Sequence, residues 1–128
     1  MATVKRVLVV DDELDFLETI VKRLEVRDIK AAGVDSGPKA LALLDKEDFD
    51  VVILDVKMPG MDGVETLVEM KKKKPQLPVV MLTGHATVES GIQGMKKGAF
   101  AYVMKPVALD ELLDKLQKAF DRKSVQEG

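Results

Sequence analysis

The stretch Val51-Val52-Ile53-Leu54-Asp55 decides the fold of this chain. Four apolar residues, three of them β-branched, are followed directly by a carboxylate. An apolar run of this length is typical of a strand that helices cover on both faces, as in a parallel sheet. Because such a strand has no solvent face, we expect Asp55 to lie at its carboxyl end. In open α/β sheets, that edge is where ligands bind.

The rest of the chain alternates short apolar runs with segments of helical periodicity. The predicted strands are residues 4–10, 29–34, 51–54, 79–82 and 100–104. The predicted helices begin near residue 14, after a capping Ser36, at Asp62-Gly63, near residue 86 and near residue 109. This order predicts an α/β fold, a three-layer doubly wound (βα)5 flavodoxin-like domain with a five-stranded parallel sheet in the order 2-1-3-4-5. We expect residues 1–128 to form a single domain with its core over about 4–122.

The composition is ordinary for a globular protein and excludes several classes of function. The formal net charge is −2 and the sequence pI about 5.5, so we expect no direct nucleic-acid partner. The chain has no cysteine, which excludes disulfides and thiolate zinc sites, and the single His85 argues against a histidine-based metal cluster. We expect no membrane partner and a cytoplasmic location, because no apolar run is long enough to span a bilayer.

Four of the predicted strands end on residues that can take part in chemistry. These residues are Asp11-Asp12, Asp55, Thr83 and Lys105. The carboxyl ends of parallel strands meet at one edge of the sheet, and the order 2-1-3-4-5 makes strands 1, 3, 4 and 5 neighbours. Strand 2, which ends without a comparable residue, lies at the far side. The topology therefore predicts that the four positions converge on one site.

The residue types at this edge indicate phosphoryl transfer to a carboxylate. Crowded carboxylates repel one another unless a cation lies among them, and oxygen-only ligands favour Mg²⁺ over zinc. Lys105 adds a positive charge, and the Thr83 hydroxyl can donate to an anionic oxygen. Together these groups would stabilise the charge that develops on phosphoryl oxygens. Asp55 would then be the nucleophile and would become an aspartyl phosphate.

The sequence resembles the receiver domains of two-component response regulators over essentially the whole chain, from Val4 to about Phe120. The matching segments, in chain order, are Asp11-Asp12, Ile53-Leu54-Asp55, Met58-Pro59-Gly60-Met61-Asp62-Gly63, Leu82-Thr83-Gly84, Gly98-Ala99, Tyr102 and Lys105-Pro106. No single segment is specific, but their presence in this order is. The resemblance implies a signalling switch that accepts a phosphoryl group.

The resemblance also assigns the residues of a metal and phosphorylation site. Asp55 is similar to the phosphoacceptor of the family. Asp12, Asp55 and the backbone carbonyl of Lys57 resemble direct ligands of Mg²⁺ (or Mn²⁺), and Asp11 would act partly through water. Lys57 and His85 flank this site at positions where the family varies.

Four further residues take their expected roles from the family. Thr83 and Lys105 resemble the two residues that contact the phosphoryl group. Tyr102 is similar to an aromatic switch that turns inward when Thr83 moves toward the phosphoryl group. The bond between Lys105 and Pro106 is expected to be cis, although the general frequency of cis bonds before proline is only about 5–6%.

The expected partners follow from this reading, and two other functions remain as alternatives. A histidine kinase or phosphotransfer protein would supply the phosphoryl group, an output domain or protein would receive the signal, and a homodimer is plausible. Phosphorylation and dephosphorylation would be self-catalysed, without a dedicated enzymatic function. A hydrolase of the haloacid-dehalogenase class would need a second aspartate where Lys57 stands. A flavodoxin-like binding module would need a Ser-, Thr- and Gly-rich loop where the chain has Asp11-Asp12-Glu13.

The predicted fourth helix, residues 86–97, is expected to be the most mobile. Its apolar residues Val88, Ile92 and Met95 follow helical spacing. Gly91 lies beside this stripe and Gly94 lies further from it. The spacing therefore predicts that Gly91 is near the packed side and that Gly94 is exposed. Alanine at Gly94 would then stabilise the fold and slow local opening of the helix, whereas alanine at Gly91 could clash.

Overall fold

The computed structural model describes residues 3–84 and 87–127, and within them five strands alternate with five helices. In chain order they are β1 (Arg6–Val10), α1 (Leu14–Val26), β2 (Lys30–Val34), α2 (Gly37–Leu44), β3 (Val51–Leu54), α3 (Gly63–Lys73), β4 (Val79–Thr83), α4 (Val88–Lys96), β5 (Ala101–Met104) and α5 (Leu109–Glu127). His85 lies outside the described residues. No helix in the described part of the chain is both long enough and apolar enough to cross a bilayer.

All strand pairs are parallel, and the order β2-β1-β3-β4-β5 confirms the predicted topology. The register aligns the strand ends that matter for the site. Val10 pairs with Leu54, and Leu54 pairs in turn with Met81. Thr83 pairs with Met104 on the other side of β4. The residues that follow these strands therefore emerge at the same edge of the sheet.

The sheet divides the core into two layers, which explains the uninterrupted apolar run in β3. Val52 and Leu54 pack with α2 and α3 in one cluster of buried side chains. Val51 and Ile53 face the opposite way and pack with α1 and α5 in the other. All four β3 side chains are at most 2% exposed. A strand that is covered on both faces has no position for a polar residue, so the first carboxylate comes directly after it.

Three helices begin at residues whose side chains cap exposed backbone N–H groups. The Ser36 hydroxyl accepts a hydrogen bond from the N–H of Lys39, and an Asp62 carboxylate oxygen accepts one from Glu65. Both confirm the predicted starts of α2 and α3. Helix α4 begins with a reciprocal capping box between Thr87 and Ser90. The start predicted from sequence, near residue 86, is close to this cap, but the capping pair itself was not predicted.

The predicted orientation of α4 is wrong. Val88 is 82% exposed, Ile92 and Met95 are each 48% exposed, and Gly94 is buried. The helix packs on the sheet through its glycine face, and its apolar stripe points to solvent. A Cβ atom on Gly94 would lie 2.6 Å from the sulfur of the buried Met81. The side of α4 that carries glycine, rather than the side that carries large apolar residues, therefore faces the core.

This packing reverses the expected effects of alanine at the two glycines of α4. A Cβ on Gly91 would meet the Tyr102 ring at 3.5 Å, an ordinary contact, so Gly91→Ala should stabilise the fold by about 1 kcal/mol. Gly94→Ala should destabilise it by about 1–3 kcal/mol, because Met81 must shift. Urea denaturation of both variants measures the difference. A Gly94→Ala protein more stable than Gly91→Ala would contradict the observed packing.

Candidate functional site

The structure brings the predicted strand-end residues together at one edge of the sheet. Asp11 follows β1, Asp55 follows β3, Thr83 ends β4 and Lys105 follows β5. Carboxylate oxygens of Asp11, Asp12 and Asp55 all lie within 4.8 Å of one another. The Thr83 hydroxyl hydrogen-bonds to the Asp55 carboxylate. The Lys105 ammonium lies 2.8 Å from an oxygen of Asp11.

Backbone hydrogen bonds fix the positions from which these side chains extend. The N–H of Asp55 donates to the carbonyl of Val10 at 2.9 Å, and the N–H of Asp11 donates to the carbonyl of Val34 at 3.1 Å. The N–H of Lys105 donates to the carbonyl of Thr83 at 2.9 Å. Each bond continues a strand ladder by one residue. The rigid sheet therefore sets where the two carboxylates and the ammonium begin.

The loop after β3 folds back closely on Asp55, and Gly63 allows this approach. The N–H of Gly63 donates to the carbonyl of Val56 at 2.6 Å. A Cβ on Gly63 would collide with the backbone carbonyl of Asp55 and with the Cα of Val56. Such a contact is with backbone and could not be relieved by a side-chain rotation. The Asp62-Gly63 pair thus serves both to cap α3 and to close the loop that carries Lys57.

Asp55 is a buried carboxylate whose charge is only partly compensated. It is 1% exposed, and one of its oxygens accepts a hydrogen bond from the N–H of Val56 at 2.8 Å. Burial is the largest influence on its pKa, and repulsion from Asp11 acts in the same direction. The Thr83 hydrogen bond, the attraction of Lys105 and the Val56 N–H oppose them. The net result is a pKa above the ordinary value of 3.8.

Lys105 is held by two carboxylates and an aromatic ring. Its ammonium lies 2.8 Å from an oxygen of Asp11, 2.8 Å from an oxygen of Glu13 and 4.0 Å from the centre of the Phe16 ring. Burial by itself lowers the pKa of Lys105, but the hydrogen bonds to Asp11 and Glu13 and the attraction of Asp11 and Asp55 raise it above its ordinary value. The contacts of Lys105 with Glu13 and Phe16 were not predicted from sequence. Their one available signal was their place just after Asp11-Asp12, at the start of α1.

The three carboxylates form a group that could hold a metal ion. Asp11 and Asp55 are buried, and Asp12 is the most exposed of the three. Oxygen ligands of this kind suit a hard divalent cation, and a cation would offset the repulsion among the charges. Lys57, whose backbone carbonyl was expected to be a further ligand, lies two residues after Asp55 and has an exposed side chain. The donor set therefore fits Mg²⁺.

Tyr102 lies in β5, beside β4 and beneath α4. It pairs in register with Met81, is partly buried, and its ring is the nearest contact for a Cβ on Gly91. Its hydroxyl lies 2.6 Å from the hydroxyl of Ser90 in α4. The ring therefore links the strand next to Thr83 with the helix that carries the exposed apolar stripe.

The peptide bond between Lys105 and Pro106 is cis.

A family model described as the response regulator receiver domain matches residues 7–117 of the chain. The chain belongs to the response regulator receiver domain family. This membership decides among the three functions that the sequence analysis considered. The receiver domain is a phosphorylation-dependent signalling switch of two-component systems, and domains of this family generally act as switches rather than as dedicated enzymes. Receiver domains typically bind Mg²⁺ at an acidic pocket.

Comparisons with individual proteins agree with the family match. The regulatory protein AtoC of Escherichia coli is 34% identical over 126 residues, which are 98% of this chain and 27% of that protein. A CheY-like receiver domain protein from Methanospirillum hungatei is 32% identical with a TM-score of 0.92, over 98% of this chain and all of that one. A response regulator from Burkholderia pseudomallei, solved with a phosphorylated aspartic acid, a calcium ion and citrate, is 27% identical with a TM-score of 0.84, over 97% of this chain and 73% of that one.

The receiver domain spans about a quarter of the length of the curated relatives that it matches. Those relatives are named as regulatory or transcriptional regulatory proteins. Their remaining length lies outside the part that corresponds to this chain.

Proposed function

We propose that Asp55 accepts a phosphoryl group from a histidine kinase or phosphotransfer protein. The observation that carries this proposal is the buried Asp55 carboxylate, which lies among two other carboxylates, the Thr83 hydroxyl and the charge of Lys105. The likeness to the Burkholderia pseudomallei protein with its phosphorylated aspartic acid supports it. We further propose that residues 1–128 act as a single cytoplasmic domain with its core over about 4–122.

Asp12, Asp55 and the backbone carbonyl of Lys57 would hold Mg²⁺ (or Mn²⁺), with Asp11 acting partly through water. The bound cation would neutralise charge that develops on the phosphoryl oxygens. The carboxylate oxygen of Asp55 attacks phosphorus, and the bond from phosphorus to the donor breaks with its electron pair leaving on the donor. Because positioning and charge stabilisation are enough for this transfer, a small donor can take the place of the kinase.

Thr83 and Lys105 would contact the phosphoryl group once it is on Asp55. The Thr83 hydroxyl already reaches the Asp55 carboxylate, so it needs only a small movement to donate to a phosphoryl oxygen. Lys105 lies in the same acidic pocket and would add a positive charge. Both groups would stabilise the negative charge that develops on the phosphoryl oxygens during the transfer.

The change at Thr83 would reach the surface through Tyr102. Thr83 ends β4, and Tyr102 lies in the neighbouring β5, in contact with α4. The change would reach the surface of α4, β5 and α5, which carries four exposed apolar residues, three on α4 and one on β5: Val88, Ile92, Met95 and Met104. An apolar surface of this kind suits a partner, which here would be an output domain, an output protein or a second copy of the chain.

The test of this function is phosphorylation by acetyl phosphate in the presence of Mg²⁺. Intact-mass analysis should show one phosphoryl group per chain, and chelation of Mg²⁺ should prevent it. A wild-type protein that gains no phosphoryl group under these conditions would contradict the proposal. Faster loss of the adduct from the folded protein than from the denatured protein would support the expected self-catalysed dephosphorylation.

Thr83→Ala should separate phosphorylation from signalling. Asp55, the metal ligands and Lys105 remain, so the variant should still be phosphorylated, though more slowly. Beryllofluoride, a stable mimic of the phosphoryl group, should change the NMR chemical shift of the Tyr102 amide in the wild-type protein. Without the Thr83 hydroxyl, this change should be largely lost. Thr83→Ser keeps the hydroxyl and should retain that shift. Full wild-type shifts at Tyr102 in Thr83→Ala would rule out this relay.

A further inference from the structure

In the unphosphorylated protein Lys105 forms ion pairs with Asp11 and Glu13 and none with Asp55. A lysine ammonium has three N–H donors. Two point to the carboxylates of Asp11 and Glu13, each at 2.8 Å, and the ammonium also lies 4.0 Å from the centre of the Phe16 ring. The side chain of Lys105 is only 12% exposed, so water cannot easily replace these contacts. A phosphoryl group on Asp55 would therefore compete with these carboxylates for the ammonium of Lys105.

The two carboxylates that hold Lys105 differ in how easily they can release it. The Asp11 side chain is 2% exposed, and its second oxygen accepts a hydrogen bond from the backbone N–H of Glu13 at 2.9 Å. Asp11 is also within reach of the proposed metal. The Glu13 side chain is 54% exposed, and its carboxylate can return to water at little cost. Glu13 is therefore the contact that Lys105 can leave.

We propose that Glu13 is a positioning residue that holds Lys105 in the unphosphorylated protein and competes with the phosphoryl group for it. The inference rests on the proposed function, in which Lys105 contacts the phosphoryl group. Glu13 favours the resting state, and its removal makes the phosphorylated state easier to reach. None of the residue roles that the family resemblance assigns includes Glu13.

The side chain of Glu13 does not act as a helix cap. Glu13 is the N-cap residue of α1, but its side chain makes no capping hydrogen bond. Glutamine at this position has the same size and keeps the backbone N–H that donates to Asp11. Its neutral oxygen binds an ammonium less strongly than a carboxylate does. Glu13→Gln thus weakens the hold on Lys105 and leaves the start of α1 as it is.

Beryllofluoride with Mg²⁺, a stable mimic of the phosphoryl group, provides the test. Glu13→Gln should bind it about threefold more tightly than wild type, which corresponds to weakening one partly exposed ion pair. Asp15→Asn is the matched control, because it removes the same charge from an exposed position in the first turn of α1. Asp15→Asn should bind with the wild-type affinity.

A second experiment, in a protein that carries Lys105→Met, distinguishes a direct contact between Glu13 and Lys105 from a general effect of the Glu13 charge on the site. If Glu13 acts through Lys105, Glu13→Gln should not change the affinity of a Lys105→Met protein. In the metal-free protein, the NMR signals of the Lys105 side chain should change in Glu13→Gln and not in Asp15→Asn. This measurement needs no bound ligand and decides the question if Lys105→Met fails to fold or to bind.

The outcomes distinguish this inference from the proposed function. A wild-type protein that does not bind beryllofluoride would contradict the proposed function itself. Wild-type binding with an unchanged or lower affinity in Glu13→Gln would overturn only the role of Glu13. An equal gain in Asp15→Asn, an equal gain in the Lys105→Met background, or unchanged Lys105 signals in Glu13→Gln would overturn it as well.

Discussion

Asp55→Asn is expected to gain no phosphoryl group from acetyl phosphate and Mg²⁺, under conditions in which the wild-type protein gains one. An amide oxygen is a far weaker nucleophile than a carboxylate, and the substitution also replaces a charged ligand of the proposed metal with a neutral amide. Because Asp55 lies at the centre of the pocket, the loss should be complete rather than partial. Intact-mass analysis of both proteins measures it.

Asp62→Asn is the matched control for this experiment. Asp62 lies in the loop that follows Asp55, and its side chain caps α3. Asparagine caps a helix about as well as aspartate, so Asp62→Asn should fold normally and gain the wild-type adduct. A phosphoryl group that persists in Asp55→Asn would show that another residue is the acceptor. An adduct lost equally from both variants would mean that the loop, rather than the carboxylate, is responsible.

The same Asp55→Asn substitution should stabilise the metal-free protein at neutral pH. Burial raises the pKa of Asp55 in the folded state, so folding favours its protonated form. The stabilising contribution is present below the ordinary pKa of 3.8 and is lost as the pH rises through the raised value. At neutral pH the charged group therefore costs stability, and the neutral amide of the variant removes this cost. Urea denaturation of both proteins across this pH range, without metal, should show the advantage of the variant growing with pH.

The central strand could be predicted closely because its burial leaves no ambiguity. Residues 51–54 face two helical layers, so every position is apolar and the run ends where burial ends. The start of β1 could not be predicted as well. Val4 is buried like a strand residue, but its N–H donates to the side chain of Gln117 rather than to a neighbouring strand. An apolar pattern indicates which residues are buried, but it does not indicate which of them pair with a neighbouring strand. The pairing of β1 begins only at Arg6.

Helix α4 shows where periodicity gives the wrong answer. The prediction assumed that the stripe of Val88, Ile92 and Met95 faces the core. This assumption holds when the core is the only apolar surface against which the helix can pack. At Gly94 the sheet leaves no room for a side chain, because the sulfur of Met81 fills the space. The apolar stripe is left on the surface, where a partner could cover it. The expected mobility of this helix stays a prediction.

The composition of the site could be predicted from topology, but the pairing of its side chains could not. Parallel strands bring their ends to one edge, and that rule alone places Asp11, Asp55, Thr83 and Lys105 together. Which partner a long side chain chooses depends on rotamers and on neighbours from α1. Lys105 pairs with Asp11 and Glu13 in the resting structure, whereas the sequence analysis placed it with the phosphoryl group. The side-chain contacts of the unphosphorylated state, such as those of Lys105, are thus the part of the site that a sequence pattern does not predict.

Asp12→Asn should weaken the binding of Mg²⁺ on the order of tenfold or more, because loss even of a residue that only supports a metal ligand commonly costs about 10–100-fold. Without metal, the variant should be slightly more stable than wild type. The substitution removes one of three charges whose oxygens lie within 4.8 Å of one another. The gain should stay below about 1 kcal/mol, because Asp12 is partly exposed and solvent screens its charge.

Urea denaturation with and without Mg²⁺ tests both effects of Asp12→Asn. At a free Mg²⁺ concentration of about 100 times the wild-type Kd, the metal should stabilise the wild-type protein by about 2.7 kcal/mol. A tenfold weaker variant should gain only about 1.4 kcal/mol at the same concentration. Asp15→Asn, which lies outside the carboxylate cluster, should respond to Mg²⁺ as the wild type does. A metal-free Asp12→Asn protein clearly less stable than wild type would mean that the three carboxylates do not repel one another, and equal stabilisation by Mg²⁺ would mean that Asp12 is not a ligand.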